Sequence, residues 1–462
     1  MDFLIVLSSL LLLMFVAYRG YSVILFAPIC AMLAVVFTDP AMVLPMFTGV
    51  FMDKMVNFIK LYFPVFLLGA IFGKLIELSG FSKSIVAAVI RIVGPQRAIM
   101  SIVLVCALLT YGGVSLFVVV FAVYPFAVEM FKQGNIPKRL IPAAIALGAF
   151  TFTMAALPGT PQIQNIIPGT FFKTDTWAAP WLGVIGTLFI FVLGTLYLES
   201  RRKQAARAGE GYGENHQNEP EPIDDVKLPN PVIAVLPLVL VGVLNKLFST
   251  VIPTYFGKEV ILTVAGKPLT VAVAPLVGIW AVQGALLGGI LCVLLFAYKA
   301  VASRIAAGST SAIGGSLLAA MNTASEYGYG AVIAALPGFA VVTAALANIP
   351  NPLVNEALSV SLLAGITGSA SGGMSIALAA LSESFIAAAT AAQIPFEVLH
   401  RVAAMASGGM DTMPHNGAVI TLLAVTGLTH RQSYRDIFVV SVLITTAAVF
   451  GIIGVYYLTG IV

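Results

Sequence analysis

The stretch GGMDTMPHNGAV, residues 408–419, crowds an aspartate, a histidine and an asparagine around a proline inside a long apolar tract. Each polar group is costly in lipid, and proline with flanking glycines breaks a helix at the same point. Non-helical backbone at membrane depth survives only where it is buried in protein or lines a wet cavity. The stretch therefore reads as one half of a solute-binding site.

The surroundings require a bilayer. Of 462 residues, 59% are hydrophobic and only 10% charged, against about 25% charged in soluble domains. Apolar tracts at 6–18, 21–37, 181–198, 231–244 and 436–460 approach or exceed the ~20 residues of a spanning helix. A large soluble core would need more polar surface than this chain has. The N-terminus lacks a basic leader and an Ala-x-Ala site, which predicts an uncleaved first helix. Cys30, Cys106 and Cys292 stand singly in apolar segments and imply neither a disulfide nor a metal framework. The net charge of +4 carries topology rather than nucleic-acid binding.

One segment is aqueous: ESRRKQAARAGEGYGENHQNEPEPIDDVKLPNP, 199–231. Its basic start (Arg201, Arg202, Lys203, Arg207) predicts a cytoplasmic, flexible linker over 199–230, in which His216 has no role. The linker divides the chain into halves, 1–198 and 231–462. Threading outward puts Arg19, Arg91, Arg97, Lys132, Lys138, Arg139, Lys299, Arg304, Arg431 and Arg435 on the linker side. Lys54, Lys60, Lys173, Lys258, Lys267 and Arg401 fall opposite. Residues 255–275 alternate apolar and polar around AGKP, predicting a short hairpin outside the membrane.

The halves repeat. YGGVS at 111–115 matches SGGMS at 371–375, GNIPKRL at 134–140 matches AQIPFEV at 392–398, and MAALPGTPQ at 154–162 matches MDTMPHNGA at 410–418. Three landmarks in one order predict re-entrant helical hairpins at about 98–131 and 352–391. Each is followed by a broken helix, at about 139–170 and 397–428. The charge threading enters them from opposite faces, so the fold class is an all-α polytopic membrane protein of inverted-topology repeats. Sites in such folds lie at the bilayer midplane, among unwound backbone and half-helix ends.

Half-helix N-termini offer free N–H groups and partial positive charge, which suits a carboxylate. The candidate solute-binding residues are Tyr111, Gly112, Gly113, Ser115, Pro158, Gly159, Thr160, Gln162 and Asn165 in the first half. The second half adds Thr367, Ser369, Ser371, Gly372, Gly373, Ser375, Thr412, His415 and Asn416. Aligning Pro158 with Pro414 sets Ala155 against Asp411 and Gly159 against His415. Protonatable groups thus sit in the second half only, and Asp411 and His415 are the candidate proton-coupling pair, with Glu383 in reserve. Blander readings remain open: Gly-Gly pairs also serve close helix packing, Asp411 also suits a helix cap, and His415 a satisfied core histidine. Glu129 reads as interfacial, and Lys74 pairs most simply with Glu77.

YGGVSLFVVVFAVYPFAVEMFKQGNIP, ALPGTPQ, TGSASGGMS and DTMPHNGAVITLL, in this order, resemble the gluconate:proton symporter (GntP) family of the ion-transporter superfamily. The last stretch is similar to a branch associated with 3-hydroxybutyrate. The resemblance spans essentially the whole chain. It implies a secondary active transporter of the bacterial inner membrane, importing hydroxy-monocarboxylates with protons and needing no cofactor. It also implies a homodimer with a scaffold region and an elevator-like transport region. Two departures matter. Gluconate carriers have Tyr-Glu where this chain has Tyr111-Gly112, and Asn-Asp-Pro-Gly where it has Pro414-His415-Asn416-Gly417. Fewer polar partners favour a smaller, less hydroxylated acid than gluconate. A sodium-coupled carboxylate carrier is the nearest alternative. An intramembrane acid/base enzyme would need a nucleophile or metal set that is missing, and a passive channel would need a continuous pore rather than paired breaks.

Overall fold

The computed structural model describes residues 2–19, 21–94, 97–114, 116–214, 216–220, 228–347, 349–414 and 416–462. Among these, the chain is helical apart from one two-stranded antiparallel hairpin, Glu259–Val264 with Lys267–Ala272. Six helical stretches are long and apolar enough to cross a bilayer: 40–78, 180–207, 231–256, 274–301, 370–391 and 430–459. Their outward positions carry Leu196, Val243, Leu291 and Leu295, all exposed. The protein is a multi-pass membrane protein.

Asp53–Leu78 packs lengthwise on Ile305–Ala335, and Pro231–Phe256 on Val277–Val301, the latter also lying against Asp53–Leu78. These four long helices form one wall. Small residues permit the close approach: a Cβ on Gly284, Gly288 or Gly289 would overlap Phe248, Leu244 or Val241.

Against this wall lie two helical hairpins. The first is Ala98–Tyr111 with Leu116–Gln133, the second Pro352–Thr367 with Ala370–Ala391. They enter from opposite ends of the molecule. The first has its base at the linker, where Lys132 pairs with Glu219. The second starts beside Tyr457, whose hydroxyl meets Asn351 Oδ1 at 3.2 Å. Residues 430–459 run as one helical stretch, and Asp436 at its start pairs with Arg139 and Arg201. Tyr457 is therefore about 30 Å from the linker side. Each hairpin is followed by a broken helix. One comprises Ile141–Ala149, Phe152–Ala155 and Ile167–Phe172; the other comprises Phe396–Met410 and Gly417–Thr426.

The linker is not loose over its described first part. The helix Pro180–Arg207 carries the basic cluster. Beyond it, Lys138, fully buried, donates to Gln217 O at 2.7 Å and Glu219 Oε1 at 2.8 Å. Glu210 pairs with Arg139. His216 Nε2 meets Tyr212 O at 2.8 Å and stacks edge-on to that ring, which corrects the expectation of a disordered histidine. The polar composition that suggested flexibility is spent on pairing with Lys132, Lys138 and Arg139. Lys74 and Glu77 do pair, at 2.9 Å.

Candidate functional site

The hairpin tips and helix breaks converge. Within the first half, Tyr111 OH donates to Pro158 O (3.0 Å) and Gln162 Nε2 to Thr110 O (2.7 Å), tying tip to break. Within the second, Asn416 Nδ2 donates to Gly368 O at 2.8 Å while its Oδ1 caps the following helix at Val419 N. The turn Ile163–Asn165 packs against both Ala370–Ala391 and Phe396–Met410.

The remaining join comes from two helices that run side by side. Leu116–Gln133 and Gly417–Thr426 both end towards the linker, where Tyr124 OH lies 3.3 Å from Thr426 O and 2.8 Å from Asn218 O. Asn218 Nδ2 also donates to Ala424 O at 2.8 Å. From that level the two helix starts, Leu116 and Gly417, are each about 12–14 Å back. They lie at similar depth, and Gly417 follows the asparagine that bonds the Gly368–Ala370 tip. Helix N-termini at 370 and 417 therefore meet, with the start at 116 at a similar depth, each presenting N–H groups with no intrahelical acceptor. Ser115 and His415 lie outside the described residues.

Most of the expected solute-binding side chains are engaged in holding this arrangement. Thr160 Oγ1 donates to Thr153 O, and Asn165 Nδ2 to Thr160 O and Thr176 O. Thr367 bonds back to Leu363 O, Ser369 caps at Gly372 N, and Thr412 donates to Ser441 Oγ. Gly159 has φ +77 and sits beneath Trp177, whose ring a Cβ would strike. It allows a close turn and leaves no room for a solute at its own Cα. Ser371 meets Thr323 Oγ1 at 3.2 Å. Asp411 differs. It is 9% exposed, directly before Thr412, and its Oδ1 has no hydrogen-bond partner. Ser375 Oγ, fully buried one turn into the second hairpin's return arm, is likewise unpartnered.

Glu383 does not belong to the region. It is exposed on the return arm, 13 residues beyond Ala370 and so about 20 Å along the helix axis. Its place near mid-hairpin by count says nothing about which face it occupies.

Two functional candidates were not read from the sequence as site residues. Arg401, expected at the outer end of its helix, is fully buried inside Phe396–Met410. Its guanidinium donates to Ala155 O (2.8 Å), Asn165 Oδ1 (2.9 Å) and Ala178 O (2.6 Å). The guanidinium makes no ion pair among the described residues. It fixes the first break with donors from the second half. Beside it His400, also fully buried, meets Thr174 Oγ1 through Nδ1 (2.7 Å) and Asn165 Oδ1 through Nε2 (3.3 Å). Asn165 Oδ1 must accept there, so Nε2 carries the hydrogen and Nδ1 accepts. The dipeptide His-Arg, five residues into a helix of otherwise apolar character, was the available signal.

No family model matches the chain. Among solved structures, the crystal structure of the Alcanivorax borkumensis YdaH transporter, described as having an unusual topology, aligns over 88% of each chain with a TM-score of 0.49 and 17% identity. Among curated proteins, the uncharacterized transporter YxjC of Bacillus subtilis (strain 168) is 57% identical over 473 residues, covering 100% of both chains. At that identity and coverage the chain is a membrane transporter rather than an enzyme, and it belongs to the family that contains YxjC.

Proposed function

We propose that the chain is a secondary active transporter of the gluconate:proton symporter type, carrying a small hydroxy-monocarboxylate such as 3-hydroxybutyrate inwards with protons. The observation that carries this reading is the joining of two helix N-termini, at 370 and 417, through the Asn416–Gly368 hydrogen bond, a few residues from Asp411, a buried carboxyl with one unpartnered oxygen. Helix N-termini favour an anion, and an intramembrane carboxyl beside them supplies a site for a compensating proton. Asp411 is that proton site, with His415 as its sequence neighbour. The setting is the bacterial inner membrane, with the linker cytoplasmic and the protein a homodimer.

The test is uptake into proteoliposomes of radiolabelled 3-hydroxybutyrate, gluconate, lactate and acetoacetate under imposed pH or sodium gradients. Acid-driven accumulation of the smallest hydroxy acids is expected, and Asp411→Asn should abolish its dependence on the pH gradient. Sodium-driven accumulation, or an unaltered pH response in Asp411→Asn, would remove the proton assignment.

A further inference from the structure

Glu326 lies in the second half of the wall helix Ile305–Ala335, against the tip of the second hairpin. It is 4% exposed, and its Oε2 has no hydrogen-bond partner. The carboxyl is aimed at the start of Ala370–Ala391. A Cβ on Gly372, in the first turn of that helix, would fall on Oε2 and the carboxyl carbon. Ser369, whose Oγ accepts from Gly372 N at 3.0 Å, donates its own hydrogen to Glu326. Next to these, Thr323 on the same wall helix meets Ser371. The first glycine of SGGMS is therefore the space that Glu326 occupies.

Among the described residues no countercharge explains the acid. On Asp53–Leu78, Asp53, Lys54 and Lys60 are exposed and Lys74 pairs with Glu77. Tyr62 bonds Thr170, Tyr329 bonds Ser9, and Tyr327 packs against Phe58 and Phe171. Val23–Thr38, residues 47–52 and Phe339–Ala347 bring no acid or base; on the hairpin, Glu383 faces away and Glu356 is buried near the start of the inbound arm, away from the tip. A buried carboxylate without a cation is held by the helix N-terminus when ionised and is inexpensive when protonated.

We infer that Glu326 is a second proton-binding site, which ties the second hairpin's tip to the wall helix when ionised and frees it when protonated. This rests on the reading of the protein as a proton-coupled carrier. It adds that the coupling proton is felt at the junction between wall and hairpin, and not only at the breaks. Loss of the proton restores the link from Glu326 to Ser369 and the first turn of Ala370–Ala391, so that the tip docks again.

Reconstituted Glu326→Gln should exchange radiolabelled 3-hydroxybutyrate across the membrane yet lose accumulation driven by a pH gradient. Glu326→Asp should retain part of that accumulation. The infrared difference spectrum between acidic and alkaline buffer should lose a protonated-carboxyl component in Glu326→Gln. Gly372→Ala, which displaces the carboxyl, should shift the same component. Wild-type response to the pH gradient in Glu326→Gln overturns the inference, as does an unchanged infrared spectrum in a monodisperse protein. If the wild type moves none of the label, the substrate reading fails on its own, and the infrared component still decides Glu326.

Discussion

Both hairpins carry a Gly-Gly pair, the first in its turn and the second at the start of its return helix, and the two pairs do different work. At Gly112, in the first, a Cβ would meet the Leu238 side chain, and at Gly113 (φ +91) the side chains of Leu286 and Pro161. At Gly372 and Gly373 it would meet the Glu326 carboxyl and the backbone of Leu363 and Ala364. The first tip is docked on side chains of the wall and of its own break. The second is pressed against its own inbound arm and a buried acid. The duplicated motif differs in backbone, a turn with Gly113 at φ +91 in the first copy and helix in the second, and in the groups facing it, an apolar contact in one and an ionisable one in the other.

The largest effect expected from disturbing this asymmetry comes from Arg401, through which the second half supports the first break. Arg401→Leu leaves Ala155 O, Ala178 O and Asn165 Oδ1 buried without those donors, a loss of roughly 3 kcal/mol or more. A large fall in melting temperature in detergent, with uptake abolished, is the expected result. Gly373→Ala follows. Its Cβ presses on main chain that cannot rotate away, costing about 1–3 kcal/mol. Gly112→Ala presses on Leu238 instead, so adding Leu238→Ala should recover most of its smaller loss. Equal melting shifts for the two alanines would erase the contrast between the tips.

Asn416→Ala removes a cap and the bridge to Gly368, for about 1–2 kcal/mol. Asn416→Ser keeps the cap and should recover part of the stability but not the uptake. Tyr111→Phe forfeits only the bond to Pro158 O, about 1 kcal/mol, and should lower uptake modestly. Smallest at neutral pH is the linker. Burial pushes the Glu219 carboxyl up, but hydrogen bonds from Lys132, Lys138 and Tyr212 bring it down overall, to about 2 from 4.5. A depressed carboxyl contributes stability that is complete above its unfolded value and lost as pH falls through the folded one. Protection of the linker from proteolysis or hydrogen exchange should therefore persist at neutrality and fail between about pH 4.5 and 2.

The membrane class and the all-α architecture were legible because composition and apolar run length respond to the bilayer directly. The short hairpin at 259–272 was legible too, from the mix of apolar and polar residues around the turn at AGKP. What stayed hidden depended on rotation and on long-range partners. Glu383, counted along the chain, seemed central, yet 13 steps of about 100° carry it round to the outside of its helix. Arg401 was read as a boundary charge because basic residues usually flank spans. Its acceptors, Ala155 and Ala178, lie more than 200 residues away in sequence. The linker was read as loose because its composition is polar, while the lysines and arginine that engage it belong to other segments. Asn416 and Ser369 stand out in the sequence as polar groups at breaks, and their geometry assigns much of that polarity to capping.

The strand pair Glu259–Val264 and Lys267–Ala272 reverses at Ala265 and Gly266, with φ of 50° and 77°. Nearly all of its side chains are exposed. Such a projection tolerates an inserted epitope or a labelling cysteine without disturbing a single packed helix. One chemically addressable point would then report, in intact cells, which compartment that end of the molecule faces, and with it the orientation of every helix in the chain.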